Sequence, residues 1–258
     1  MRRATMMGAA ALLAGGQVSA QQVEAPSGQP APQENREMER EVDMGGMGIH
    51  ADRTYTYSLI QADYGRLEGK DIASWDAEGW VGGDRHKFWW KTEGELNGPR
   101  LEQAEVQALY SRNIWTYFDA QIGLRTDFKP DNRAYVVAGI QGLAPYFIET
   151  ELHAFVGLEG DVSIRAKQSF DLLLTNRFIL QPLVETDFYL TDVPERQIAS
   201  GFSVIETGVQ ARYEFSRKFA PYAALIYERR LGGSARLARA AGEDVGGLSA
   251  RAGLRVWF

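Results

Sequence analysis

The chain has 258 residues, with 28 Lys+Arg against 34 Asp+Glu, a net charge of −6 and no Cys. The acidic balance argues against a nucleic-acid partner, which needs a basic surface, and the missing thiols exclude disulfides, thiolate metal sites and Cys nucleophiles. Mean hydropathy is −0.30, and beyond the N-terminus no apolar run is long enough for a membrane helix.

Residues 1–20 read as a signal peptide. Met1-Arg2-Arg3 is a positive start, Met6 to Gly16 a short apolar run, and Val18-Ser19-Ala20 a small-residue cleavage site before Gln21. Without Arg2 and Arg3 the basic count is 26 and the balance −8. Residues 21–52 read as a disordered periplasmic tail, rich in Gln, Pro, Glu and Gly and poor in large apolar side chains. A brief helix over Glu34 to Val42 would have no hydrophobic face.

From residue 53 to 258 the text alternates apolar and polar in segments of about ten residues with turn formers between them. Twelve strands are expected: Tyr55–Leu67, Ser74–Val81, Lys87–Leu96, Leu101–Tyr110, Thr116–Thr126, Arg133–Gln141, Tyr146–Val156, Val162–Leu174, Phe178–Leu190, Phe202–Phe215, Phe219–Arg230 and Gly246–Phe258. The even-numbered connections are short, for example Gly82-Gly83, Ser111-Arg112-Asn113 and Thr175-Asn176-Arg177. Longer ones fall at odd places, Glu68 to Ala73, Asp127 to Asn132, Thr191 to Gly201 and Leu231 to Val245, although two odd ones, around Asn97-Gly98-Pro99 and Gly157 to Asp161, are also short. That parity puts both barrel termini on the periplasmic side of an all-β, antiparallel, up-and-down transmembrane barrel. The last strand, apolar at Leu248, Ala250, Ala252, Leu254, Val256 and Phe258, resembles the closing strand of bacterial outer-membrane barrels. A monomer in the outer membrane, in contact with its lipid, is expected.

The period of two assigns faces. Phe118, Ala120, Ile122 and Leu124 face lipid, while Asp119, Gln121, Gly123 and Arg125 face in. Ile148, Thr150, Leu152 and Ala154 face out, and Glu149, Glu151 and His153 face in. Tyr110, Trp115, Tyr117, Tyr146, Tyr213 and Tyr222 fit interfacial girdles.

Two chemistries are on offer. The interior carries many carboxylates and fewer cations, which either pair across strands and plug the barrel or form an acidic surface for metal cations. Glu149, Glu151 and His153 are the best cluster. In the tail, Met38, Met44, Met47 and His50 offer thioether and imidazole, ligands suited to copper, with Met selecting Cu(I); the alternative is a Gly-rich linker with incidental Met. An enzyme is not expected: His50, His86 and His153 are the whole histidine set, no Ser neighbours His153 on its face, and neither G-x-S-x-G nor H-E-x-x-H occurs.

Several stretches carry a resemblance: Ile60-Gln61-Ala62-Asp63-Tyr64, Trp75-Asp76-Ala77-Glu78-Gly79-Trp80, Lys87-Phe88-Trp89-Trp90-Lys91-Thr92-Glu93-Gly94-Glu95, Asp119-Ala120-Gln121-Ile122-Gly123-Leu124-Arg125 and Ala138 to Tyr146. Over residues 50–258 the chain resembles the copper resistance protein B family of outer-membrane barrels. The resemblance implies copper ion binding, copper tolerance and partners in a periplasmic resistance system. A porin-like or purely structural barrel without a metal role is the alternative.

Overall fold

The computed structural model describes residues 54–67 and 69–258. The expected signal peptide and tail, with Met38, Met44, Met47 and His50, lie outside them. The alternating segments form thirteen strands: β1 Tyr55–Leu67, β2 Lys70–Gly82, β3 His86–Asn97, β4 Arg100–Trp115, β5 Phe118–Lys129, β6 Arg133–Ala144, β7 Ile148–Gly157, β8 Val162–Ser169, β9 Leu172–Leu173, β10 Phe178–Tyr189, β11 Gly201–Tyr213, β12 Phe219–Arg230 and β13 Gly246–Trp257.

Successive strands pair antiparallel, except that β8 pairs with β10 rather than with β9, and β13 returns to β1, with Leu59 opposite Trp257. The eighth expected strand is broken: β8 and the two-residue β9 both lie along β10 and serve as one strand of the wall. The result is a closed twelve-strand, up-and-down barrel, in which pairing satisfies the backbone without an open sheet edge at the seam. Tyr55 and Phe258 share one end, where Ser58 and Phe258 exchange backbone hydrogen bonds of 2.9 and 3.1 Å. We call this the terminal end and the opposite one the loop end.

The face assignments hold where they were made. Ile122 and Leu124 are exposed on the outer surface, while Asp119, Gln121, Arg125 and His153 are buried inside. Two outward Trp rings lie across neighbouring-strand glycines. A Cβ on Gly94 would sit 2.1 Å from the Trp75 ring, and one on Gly79 2.8 Å from Trp90.

Tyr222 is a correction. It is buried in the lumen and its hydroxyl donates to Asp63 at 2.7 Å, so it belongs to no girdle. A second concerns β4, which runs to Trp115. Ser111, Arg112 and Asn113 look like turn formers, yet Ser111 Oγ and Asn113 Nδ2 donate to Asp119 at 3.2 and 3.0 Å and stay in the strand. A third concerns the loop end. The β1–β2 connection is tight around Gly69, whose φ of +87° suits glycine, and Asp127 lies inside β5.

The β12–β13 connection holds a helix, α1 (Gly232–Ala241), capped by Gly242 at φ +76°. The Gly/Ala/Arg text there read as loop, but Ala, Leu and Arg are good helix formers. A bulge in β11 opposite Asp187 turns Ser203 inward, where its hydroxyl meets Ser234 of α1 at 3.0 Å.

Candidate metal-binding lumen

The inward positions of neighbouring strands make rows across the wall. Asp76, Glu93, Glu105 and Asp127 stand side by side on β2 to β5. Such a row is repulsive unless cations face it. Those cations come from β3, β5 and β8. Arg165 lies 3.8 Å from Glu93, 3.6 Å from Glu105, 3.3 Å from Glu185 and 3.1 Å from Asp187. Arg125 reaches Glu105 at 2.7 Å and Asp127 at 2.6 Å. Lys91 reaches Glu151 at 2.6 Å and Glu78 at 3.5 Å, and Lys167 lies 3.6 Å from Asp76.

An apolar cluster backs this network. Trp89, Leu109, Tyr135, Val137 and Phe155 pack inside the barrel beside Trp80. The guanidinium of Arg125 lies over Phe155 at 4.8 Å and that of Arg165 at 5.6 Å, so these cations are held by ring faces as well as by carboxylates. Composition alone did not reveal this core, although its members all fall on inward positions of the alternation.

At the loop end a strap between β10 and β11 closes over the filled side. Arg196 donates to Asp127 at 2.9 Å and to Asp131 at 2.7 Å, and Ala199 N donates to Ser234 of α1 at 3.0 Å. Partial burial pushes the Asp131 carboxyl up, but hydrogen bonds from Arg133 and Arg196 win and hold it below its ordinary range.

The rest of the lumen is open. A cavity of about 670 Å³ is lined at the terminal half by every part of the wall, including Tyr57, Lys87, Asp119, Glu149 and Arg255. Toward the loop end its lining includes Asp63, Ser74, Glu95 and Gln103 on β1 to β4, with Glu206, Ile226 and Arg251 on β11 to β13. A separate pocket of about 20 Å³, room for one water, lies among Lys91, Gln107, Glu151, His153 and Arg165.

Of the sequence-predicted cluster, two members meet. His153 Nδ1 is 3.9 Å from Glu151, while its Nε2 is 2.8 Å from Gln121 Oε1. If Nε2 donates that bond, the Nδ1 lone pair faces Glu151, the arrangement by which a second residue orients an imidazole ligand. Glu149 stands apart, accepting from Ser169 at 2.9 Å. Among the described residues, no group of three or more His, Asp or Glu side chains is gathered tightly enough to hold a metal ion by itself. Gln121 and Gln107 were not singled out from the sequence; Gln121 could have been, because it shares the inward face of β5 with Asp119 and Arg125.

The fold is similar to that of known porins. The NanC porin superposes with a TM-score of 0.55 at 14% identity, over 76% of this chain and 98% of that one. The KdgM porin gives 0.51 at 11% identity, over 78% and 99%. In sequence, copper resistance protein B of Escherichia coli is 35% identical over 84% of this chain and 74% of its own length. A copper resistance protein B homolog of Pseudomonas syringae pv. tomato is 40% identical over 74% of this chain; the match spans 65%, just under two thirds, of that relative. The family described as copper resistance protein B precursor (CopB) matches residues 54–258. The chain is therefore a member of the copper resistance protein B family.

Proposed function

We propose that this barrel sits in the outer membrane, binds copper ions in its lumen and contributes to copper resistance by sequestering or exporting them. The observation that carries the reading is the carboxylate-lined cavity, which reaches Glu151 beside His153 in a chain of this family. Copper is cargo here. Carboxylate oxygens and an imidazole nitrogen are hard to borderline donors and suit Cu(II), whereas Met38, Met44, Met47 and His50 would suit Cu(I). Division of labour between tail and lumen follows from those donor sets. The role is non-catalytic: His153 is bonded to Gln121 rather than to a hydroxyl that it could activate. Monomeric action with periplasmic resistance proteins, after removal of residues 1–20, completes the reading.

The test is calorimetric titration of the refolded chain with Cu(II) and with Cu(I). His153→Gln should weaken Cu(II) binding at least about tenfold, in line with loss of a ligand or its support. Replacing Met44, Met47 and His50 by Ala should weaken Cu(I) binding only. No copper binding by the wild type, with unchanged tolerance in a deletion strain, would favour the porin-like or structural reading that the barrel fold also suits.

A further inference from the structure

The two rims of the barrel differ in charge. At the terminal end, the turns and strand ends expose Arg85, Arg112, Arg177, Arg217 and Lys218, none of them paired with a carboxylate among the described residues. Of the other acids near this end, Asp119 is engaged by Lys87, Asp171 and Glu214 by Arg212, and Glu149, on the inward face of β7, accepts from Ser169. Asp84 is the only exposed acidic side chain in those turns among the described residues. A protein of net charge −6 thus carries a basic rim. The loop end also exposes cations, but among the exposed acids Glu102, Asp192, Glu195, Glu243 and Asp244.

The rim cations form two groups, each on adjacent turns. Arg112 stands opposite His86 across the β3–β4 pair, and Asn113 N donates to the carbonyl of Arg85 at 3.0 Å. On the other side Glu214 N donates to the carbonyl of Arg177 at 2.8 Å, and Trp257 N to that of Lys218 at 3.2 Å. Both groups border outward-facing aromatic residues. Tyr110 and Phe88 flank the first, and the rings of Tyr213, Phe215 and Phe219 succeed one another at 5.0 and 6.5 Å beside the second. Arg112 itself is on the outward face, two residues beyond Tyr110. A charge there is costly at the membrane midplane and nearly free at the headgroup level. Aromatic rings mark that same level.

We infer that the terminal rim is a binding surface for anionic phospholipid headgroups, with the two basic groups holding lipid phosphates beside the aromatic girdle. The inference rests on the membrane-barrel reading. Guanidinium pairs with phosphate through two parallel hydrogen bonds, and cations near a membrane surface are drawn to anionic lipid. A docking site for an acidic protein would not need Arg112 on the lipid-facing side.

The test refolds the full chain into phosphatidylcholine vesicles holding spin-labelled phosphatidylglycerol or spin-labelled phosphatidylcholine at equal mole fraction. The relative association of each label with the protein is read by electron paramagnetic resonance. Wild type should prefer phosphatidylglycerol, and the preference should fade at high salt. Neutralising the rim (R85Q, R112Q, R177Q, R217Q and K218Q together) should lower it about threefold or more. Neutralising the loop end instead (R100Q, R229Q, R236Q and R239Q) should leave it near wild type. Glycerol phosphate at the label's concentration should not displace the lipid; displacement would assign the rim to soluble phosphate and overturn the inference. An equal fall in both variants also overturns it, because any lost cation would then suffice. Insertion with no lipid preference overturns this inference alone and leaves the rim to an acidic protein surface. Failure of every form to insert overturns the membrane reading as well.

Discussion

The two sides of the lumen are built from the same alternating strands and end up opposite in character. On β4 to β8 the inward positions hold Leu109, Arg125, Tyr135, Val137, Phe155 and Arg165, large groups that interlock through ring faces and ion pairs. On β11 to β13 they include Gly208, Gln210 and Ala224, and Gln210 and Ala224 line the cavity together with Arg251. The lesson is that period-2 polarity decides which face is inside, while side-chain volume decides whether the inside is solid. Part of this lumen is a packed core and part is cavity.

The largest test of that contrast is electrostatic. Arg165→Met strands Glu93, Glu105, Glu185 and Asp187 without their shared cation, and should cost about 3–5 kcal/mol, as for other broken buried pairs. Lys167→Met, whose side chain and that of Asp76 are both about a third exposed, should cost about 0–1 kcal/mol. Urea unfolding in lipid, followed by the heat-modifiable band, measures both; equal losses would erase the distinction. Next comes the outer face. Ile122→Arg puts a charge into lipid and should lose about 2–4 kcal/mol, whereas Gln141→Arg, on the cavity lining, should insert normally. Comparable insertion of the two would mean that the face assignment is wrong.

Volume gives a finer probe. Val137→Phe overfills the solid side and should cost about 1–3 kcal/mol, while Ala224→Leu, lining the cavity, should cost less than about 1 kcal/mol and narrow the passage. Single-channel or liposome-swelling measurements would read the narrowing. The smallest effect concerns the strap. Because the Asp131 carboxyl is held below its ordinary range in the folded chain, its contribution is present above the unfolded value, near pH 4, and lost as pH falls through the lower folded value. Amide exchange over residues 190–200 should quicken on such acidification in the wild type. In Asp131→Asn it should already be quick at neutral pH, with little further change.

Much of this architecture was legible in the sequence because alternation is local. Ile122, Gln121, Glu151 and His153 could each be placed on a face from their neighbours alone. What escaped depends on side-chain partners that alternation does not specify. Tyr222 looks like any girdle tyrosine until Asp63, on a strand from the other end of the sequence, accepts its hydroxyl. Ser111 and Asn113 look like a turn until Asp119 satisfies them. The helix α1 was hidden because its register is set by Ser203 and Ala199, across a bulge that no periodicity announces. The site was legible in part: Glu151 and His153 were foreseen together, but Glu149 turns to Ser169, and the bond between Gln121 and His153 needed the register of β5, β6 and β7, which sets the two in one row across Gly139.

One feature of the wall bears on how the molecule is made. The pair that closes it, Leu59 against Trp257, joins the first strand to the last. Eleven of the twelve strand pairings join sequence neighbours, yet β1 keeps a bare hydrogen-bonding flank until β13 arrives. Long-range closure of this kind is slow, and an unpaired, apolar-faced strand is prone to wrong partners in the meantime. The closing pair is thus also the one of longest sequence separation, and β1 stays open on that flank for as long as β13 is unmade.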